Sequence, residues 1–419
     1  MNRERAMKYP VLHVPASRGF TLIELMIALV IGLIISIGVV QIFSSNRASY
    51  QLDESLARAQ ENGRFALEFL TQEIRQAGNL GCKRDAMRPG EQAPGGINPR
   101  LPYNYLANPV SATYPLFGIT GLEYPSTGFG QTYNATAGAS NTTTGWLPPS
   151  GGAPSFTALV PSSGAGAGAL PGSDVIAVQR LESSALTVVA PYVTPDNVYV
   201  SPTDISKINV NDILMLAGCG ETAAIFQVTG TDPSGSISHV TGVGSPGNKC
   251  GTWEANLTGS SNAASAECTN KFERYLGPNR LVIGRLIQTV FYVANDPNNQ
   301  GRPSLYRNVL DASGTPISPA QPLVEGVETL QVFYGVDDSS DGIADRYSAA
   351  NSLSVTTLPL VVSANINLLV HGINATGTAN DSSIDQDTYT LGETTFDPPD
   401  DRLKRRSFST TIQLRNRGL

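Results

Sequence analysis

A single carboxylate, Glu24, lies near the start of the long apolar run from Phe20 to Phe43. The run exceeds the length of about 20 residues that a helix needs to cross a bilayer. Its other polar interruptions are Thr21, Ser36 and Gln41. An ionised side chain in such a helix costs roughly 2.5 to 3.5 kcal/mol, so its presence indicates a function and requires a partner. The alternative is a structural Glu24 whose side chain reaches back to the headgroups.

A second candidate site is an acidic turn in which oxygen-bearing residues alternate around Gly342. The spacing resembles an EF-hand-like calcium loop. Its candidate ligands are Asp337, Ser339, Asp341, the carbonyl of Ile343, and Asp345. The pattern is incomplete, because Ser348 stands at the twelfth position, where a bidentate glutamate is expected. An Asp-Gly turn after a strand that ends near Val336 explains the same residues without a metal, and we favour it.

Residues suited to catalysis are scarce outside the first nineteen positions. His239 and His371 are isolated from each other in sequence, and isolated histidines in strand-like runs are more often structural than general bases. The chain contains no GxSxG, GxxxxGKS or HExxH pattern. We therefore predict a non-enzymatic protein that requires no cofactor, with calcium as the one candidate ligand.

Basic residues precede the apolar run and predict its orientation. Arg3, Arg5, Lys8 and Arg18 outnumber Glu4, so the N-terminus should stay in the cytoplasm and the remainder of the chain should lie outside it. The apolar core is too long for a secretory signal peptide, which has about 7 to 15 apolar residues before its cleavage site.

Four cysteines lie in the part of the chain that is predicted to be outside the cytoplasm, where disulfides form. They are Cys82, Cys219, Cys250 and Cys268. Four cysteines allow three pairings. We favour Cys82 with Cys219, which would tie the helix end to the sheet, and Cys250 with Cys268, which would close a local loop.

A helical period continues beyond the membrane-length run as an amphipathic stripe. Apolar and small residues recur at steps of three and four. They are Leu52, Leu56, Ala59, Gly63, Ala66, Leu70, Ile74 and Ala77. The pattern predicts one helix over residues 20–77, with a transmembrane half at 20–43, that ends near Gly78 because glycine stops helices.

Strand-like runs separated by turn-rich gaps follow the helix. They cover 174–179, 186–189, 213–216, 224–228, 281–293, 323–336, 361–370 and 407–414. One long helix followed by strands predicts an α+β fold, with an antiparallel sheet packed on the helix's apolar face. We expect a β-rich head over residues 78–419, with large insertions at about 84–170 and 230–279.

The junction RGFTLIEL, Arg18 to Leu25, resembles the leader junction of type IV pilins and type II secretion pseudopilins. The resemblance implies that residues 1–19 are a prepilin leader, and that a prepilin peptidase cuts after Gly19 and methylates the new N-terminus at Phe20. In a fibre of packed helices, Glu24 would then neutralise the amino group of Phe20 on its own or a neighbouring subunit, since buried charges require pairing.

Four further segments resemble PilW-type minor pilins of type IV pili. They are residues 61–82, 326–347, 361–372 and 405–417. The resemblance implies a subunit of the inner membrane with a periplasmic head, which primes pilus assembly and joins a tip complex. Its implied partners are other minor pilins, the major pilin and a tip adhesin, and its implied roles are support of adhesion and twitching motility.

The charge of the chain disfavours general nucleic-acid binding. Formal charge is −7, and removal of the leader's net +3 makes it −10, whereas nucleic-acid binding requires a basic face. A local basic group near the C-terminus comprises Lys404, Arg405, Arg406, Arg415 and Arg417. We interpret it as a solvated strand edge or a subunit contact.

Two other functions remain open from the sequence. A minor pseudopilin of type II secretion would share the leader and the helix. A membrane-tethered hydrolase or sugar-binding module would have an anchor that merely resembles a pilin.

Overall fold

A computed structural model describes the chain over most of its length. The described residues are 19–79, 81, 103–104, 106, 118–150, 154–164, 166–182, 186–194, 197–218, 223–241, 244, 247–248, 281–311, 314–354, 356–372 and 384–416. The chain divides into two compact units, Met1–Asp53 and Glu54–Leu419.

The described part of the first unit is dominated by the start of α1, Leu22–Ile74. Large apolar side chains between Phe20 and Phe43 are exposed. By length and composition, α1 is the one helix in the described part of the chain that could cross a membrane. The Ser36 hydroxyl donates to the Gly32 carbonyl at 2.8 Å, so the helix itself satisfies this polar side chain.

In the second unit, α1 buries a stripe of mostly small residues. They are Ser55, Ala59, Gly63, Ala66, Leu70 and Ile74. Most of the predicted stripe is buried, but Leu52 and Leu56 are half-buried and Ser55 is buried instead. A turn follows α1 at 75–78, and Gly78 has a φ of 69°, the left-handed conformation in which glycine stops helices.

The remaining elements are one short helix, α2 at Phe156–Leu159, and many strands. The strands are β1 Tyr103–Asn104, β2 Ile119–Leu122, β3 Thr132–Asn134, β4 Val175–Leu181, β5 Val188–Thr194, β6 Asn197–Val200, β7 Ile213–Gly218, β8 Ala223–Gln227, β9 Gly230–Thr231, β10 Ser236–Ser238, β11 Leu281–Asp296, β12 Arg302–Asp311, β13 Gln321–Glu325, β14 Val327–Val336, β15 Arg346–Ser348, β16 Val361–His371, β17 Tyr389–Leu391, β18 Thr394–Asp397 and β19 Arg405–Gln413.

The largest sheet is organised by β11, a 16-residue strand. Its strand order is β1-β8-β7-β11-β12-β13, with β4 also paired to β11 and β2 paired to β4. The first residues of β11 pair with β7, and its later residues lie between β4 and β12. Such a long strand fits its sequence, an almost unbroken apolar run that is buried over most of its length.

A second sheet, β15-β14-β16-β19, closes the core beneath α1. Apolar residues at alternate positions of its strands belong to the same core cluster as Ala59, Ala66 and Leu70 of α1. Gly326, with a φ of 81°, separates β13 from β14. The predicted single strand over 323–336 is therefore two strands, because this turn sends β13 to one sheet and β14 to the other. Two smaller sheets complete the unit, β5-β6-β10-β9 and β17-β18-β3.

Close approach between α1 and this second sheet is possible because both contribute small residues. A Cβ at Gly63 would overlap the ring of Phe408 on β19. A Cβ at Gly372, just after β16, would overlap the Ser55 hydroxyl and lie 2.8 Å from the Ser55 carbonyl oxygen. These glycines are thus required by packing, because protein interiors leave no spare room at such contacts.

Two buried carboxyl groups, Glu123 and Asp174, connect the two large sheets. Asp174 accepts hydrogen bonds from the Tyr124 amide at 3.1 Å and from the Val332 amide on β14 at 2.9 Å. The Thr127 hydroxyl oxygen lies within hydrogen-bond distance of both carboxyl groups, 3.1 Å from Glu123 and 3.4 Å from Asp174. Burial raises the pKa of Glu123 to about 7. Burial, together with the nearby Glu123 charge, also holds the pKa of Asp174 well above its ordinary range.

We predict that Gly372→Ala destabilises the chain, because the added Cβ meets the backbone of α1 at Ser55. Overpacking of this kind costs about 1 to 3 kcal/mol. The measurement is denaturant unfolding of the full chain in detergent. Gly230→Ala is the matched control, since its Cβ would meet nothing closer than 3.8 Å. Equal stability of the two variants would contradict the close helix–sheet contact.

The carboxyl pair predicts a pH dependence of stability. The folded chain retains protons that the unfolded chain releases, so the free energy of unfolding should fall as pH rises from about 4.5 to about 7. A shift of this size in Glu123 alone corresponds to about 3 kcal/mol. Glu123→Gln should flatten the slope, whereas Glu61→Gln, at an exposed carboxyl group, should leave it unchanged. Parallel pH profiles for wild type and Glu123→Gln would refute the assignment.

Candidate functional site

The start of α1 is built around a reciprocal contact between Thr21 and Glu24. The Thr21 amide and hydroxyl both donate to Glu24 Oε2 at 2.9 Å. The Glu24 amide donates back to Thr21 Oγ1 at 3.3 Å. This is a capping box, in which a threonine before the first turn and a glutamate three residues later satisfy each other's backbone amides. Glu24 therefore fixes where α1 begins.

The two oxygens of Glu24 differ in their surroundings. Oε2 accepts both bonds from Thr21, while Oε1 has no hydrogen-bond partner among the residues that the structure describes. One half of the carboxylate is thus used for capping. The other half is open to a donor from outside the described residues or from another chain.

Gly19 and Phe20 lie immediately before the helix, outside its hydrogen-bonded turns. A Cβ at Gly19 would meet no atom within 4 Å, and the Phe20 side chain is exposed. A peptidase requires an accessible backbone, and these two residues are exposed. The predicted cleavage and methylation positions and Glu24 are therefore brought together within one turn of the chain, while the preceding leader lies outside the described residues.

Thr21 is the residue of this site that sequence reasoning missed as a partner. In the sequence, Thr21 stands out only as an interruption of the apolar run. The signal was nonetheless available, because Thr-x-x-Glu immediately before an apolar helix is the sequence signature of a capping box.

The outward side of α1 in the second unit carries two large aromatic side chains. Phe65 is 51% exposed and Phe69 is 37% exposed. They are four residues apart and hence neighbours on the helix surface. The buried stripe faces the sheet, so Phe65 and Phe69 form a separate apolar strip that the described residues leave partly exposed.

The acidic turn forms the connection between β14 and β15. Asp337 accepts backbone amides from Ser340 at 2.6 Å and Gly342 at 2.8 Å. Asp345 accepts the amides of Asp338 and Ser339, each at 2.8 Å. The Ser339 amide is the main cause that lowers the pKa of Asp345.

The oxygens of this turn are directed mainly at its own backbone. Among the described residues, no group of three or more His, Cys, Asp or Glu side chains is placed to hold a metal ion. The geometry is that of an Asp-rich turn. Calcium binding by Asp337, Ser339, Asp341, Ile343 and Asp345 stays a prediction. The four predicted disulfide cysteines lie outside the described residues.

The predicted basic edge at the C-terminus is wrong for Arg405. Its side chain is fully buried and pairs with Glu328 at 2.7 Å, Asp401 at 2.7 Å and Asp385 at 3.3 Å. Burial alone would lower the pKa of Arg405, but the bonds to Asp401 and Glu328 outweigh burial and raise it. A planar guanidinium can bind two carboxylates in this bidentate manner, so Arg405 ties β19 to β14 and to the loop before β19.

Two family models match the chain. The prokaryotic N-terminal methylation motif matches residues 15–40, which contain the Gly19–Glu24 site and the apolar start of α1. The type IV pilus-assembly protein W family, PilW, matches residues 290–416. The second match runs from β11 to the end of β19, and so contains the whole sheet that packs against α1.

No curated protein matches the chain in sequence. The type IV-like pilin TTHA1219 from Thermus thermophilus is similar over 50% of this chain and 86% of its own, with 14% identity and a TM-score of 0.20.

The matched segments agree with the architecture of the chain itself, a long N-terminal apolar helix followed by a β-rich head. Pilins are structural subunits, and their methylation motif implies processing by a prepilin peptidase and association with other pilins. The motif at one end and the PilW segment at the other support a PilW-type type IV pilin.

Proposed function

We propose that the chain is a minor pilin that helps to prime assembly of the type IV pilus and forms part of the complex at its tip. One observation carries the proposal. A helix-capping carboxylate with an open oxygen lies within one turn of the predicted new N-terminus, in a helix start that is otherwise apolar.

The open oxygen of Glu24 gives cleavage a physical purpose. Cutting after Gly19 would create a positive amino group at Phe20. In lipid or in a bundle of apolar helices, the Glu24 carboxylate and that amino group would each require a partner. Oε1 would accept the ammonium of the same subunit or a neighbouring one while Oε2 keeps its bonds to Thr21. Assembly would therefore depend on the charge of Glu24 in addition to its capping role.

Phe65 and Phe69 support lateral packing farther along α1. Exposed aromatic side chains bury large apolar areas when they find a partner, and two on one helix face form a continuous strip. A neighbouring pilin helix would cover this strip. We thus expect contacts with other subunits on the side of α1 that faces away from its own sheet.

The size of the second unit favours a position at the pilus end. It extends from Glu54 to Leu419 and contains four sheets among its described residues. A large head is difficult to repeat along a thin fibre and simple to place once at its tip. There it would associate with other minor pilins, the major pilin below and a tip adhesin. Before assembly, α1 would hold the chain in the inner membrane with the head in the periplasm.

We predict that the mature protein begins at N-methylated Phe20. The measurement is mass spectrometry of the N-terminal peptide from the membrane fraction of the producing strain. In a strain without the prepilin peptidase, the peptide should begin upstream of Gly19. A mature chain that keeps its leader in the wild-type strain would contradict processing as a pilin.

The capping geometry allows the two roles of Glu24 to be separated. Glutamine preserves a capping box, so Glu24→Gln should keep the helix start while removing the charge. Glu24→Ala removes both the capping oxygen and the charge. We expect both variants to insert in the membrane normally and to be lost from sheared pili by at least about tenfold, since breaking a buried ion pair costs about 3 to 5 kcal/mol.

Immunoblotting of membrane and sheared-pilus fractions measures these outcomes. Thr21→Ala is the matched control, because it removes the Thr21 hydroxyl bond and leaves the carboxylate. It should retain most incorporation. Incorporation of Glu24→Gln at the wild-type level would show that capping alone matters and would contradict the charge-pairing mechanism.

A further inference from the structure

A groove of about 540 Å³ lies on the second sheet, β15-β14-β16-β19, on the face that is turned away from α1. Its floor is formed by side chains of β16 and β19, and the hairpin turn between β17 and β18 overhangs it. We call it the polar groove. Its volume falls within the range of about 300 to 1,000 Å³ that is typical of small-molecule sites.

The floor of the polar groove is a set of uncharged hydrogen-bonding groups in fixed positions. Asn365 is paired in register with Thr411, and Asn367 with Ser409. The Asn365 amide donates to the Thr411 hydroxyl at 2.9 Å, and the Asn367 amide donates to Asn365 Oδ1 at 2.6 Å. These bonds fix both amide orientations, so the groove is organised before any ligand arrives.

Hydroxyl groups of this floor remain available. The hydroxyls of Ser407 and Ser409 have no hydrogen-bond partner within the described part of the chain, and both residues are exposed on the groove side of β19. Asn367 is 1% exposed and supports the floor from within. The floor thus presents rotatable donor–acceptor hydroxyls beside amides in fixed positions.

Aromatic side chains border the floor. Phe129 is 44% exposed and rests edge-on against Phe333, with 4.6 Å between ring centroids. Tyr347 also lines the groove and is partly exposed. An exposed aromatic side chain at the margin of a polar floor suits a ligand that has both hydroxyl groups and an apolar C–H face.

The charge of the polar groove narrows the ligand class. Of its described lining residues, Glu393 is the one that is charged, and none is basic. Phosphates, nucleic acids and acidic sugars would therefore find no counter-charge and one repulsive carboxylate. Neutral hydroxyl-rich molecules match both the hydrogen-bonding floor and the aromatic border.

We propose that the polar groove binds a neutral saccharide, with the Ser407 and Ser409 side chains hydrogen-bonded to sugar hydroxyls and a ring face against Phe129. This role is separate from assembly through α1. A chain that fails to bind saccharide would still be expected to enter the pilus, so the two proposals can fail independently.

The test uses the full chain purified in an amine-oxide detergent, which has no sugar headgroup. Maltose, lactose, cellobiose and diacetylchitobiose are the probes, and sialyllactose is the anionic comparison. Saturation-transfer NMR and calorimetric titration measure binding. We expect at least one neutral disaccharide to bind and sialyllactose to bind more weakly than lactose.

Two variants locate the site. Phe129→Ala removes the aromatic border, and Ser409→Leu fills the floor from an exposed strand position. Each should weaken binding by about five- to tenfold or more. Phe65→Ala is the matched control, since it removes an equally exposed aromatic side chain from α1. Unchanged circular dichroism and melting temperature would show that the variants fold.

Two results would overturn the proposal. They are the absence of binding by all four neutral disaccharides, and binding that Phe129→Ala and Ser409→Leu leave intact.

Discussion

An apolar helix that contains one carboxylate must provide that carboxylate with partners. The start of α1 provides partners for only one of the two carboxylate oxygens of Glu24. Thr21 satisfies Oε2 of Glu24 from within the same turn. Oε1 is left without a partner in the described chain. A fully capped glutamate would need nothing further, and an uncapped one would weaken the helix start. The observed arrangement holds the charge in place and leaves it incompletely satisfied, so that a new cation created beside it gains a defined position.

In the second unit, the main constraint is the small distance between α1 and its sheet. Its helix packs through Ser55, Ala59, Gly63 and Ala66, residues with little volume, so the sheet can come close to the helix backbone. This contact explains why Gly63 lies on the buried side of α1 and Gly372 lies directly after β16. Strand β19 is an edge strand among the described residues, and the ion pairs of Arg405 fix it to β14 and to the preceding loop.

Periodicity in the sequence was sufficient to predict the helix, its buried stripe and most long strands. It failed where packing overrides hydropathy. Leu56 was favoured over Ser55, but the close approach of Gly372 requires the smaller residue. Strand β12 was missed because polar residues and Pro303 interrupt it, although its neighbours β11 and β13 determine its conformation. Arg405 looked like a surface charge because its acidic partners are distant in sequence or lie in an irregular loop.

Functional residues also differ in whether the sequence alone can reveal them. Gly19, Phe20 and Glu24 were found because they are consecutive or one turn apart, and local spacing is visible in a sequence. The polar groove could not be found, because Phe129, Asn367 and Ser409 meet only after three distant segments fold together. Its chemistry also departs from an ordinary exposed sheet face. Solvated faces and strand edges commonly use lysine and other charges to prevent unwanted pairing, whereas this face uses serine, threonine and asparagine beneath an exposed phenylalanine. A face that needed only water would gain nothing from fixing its amides in a bonded row. The row has a purpose if a neutral, hydroxyl-bearing partner must find the same donors and acceptors each time it arrives.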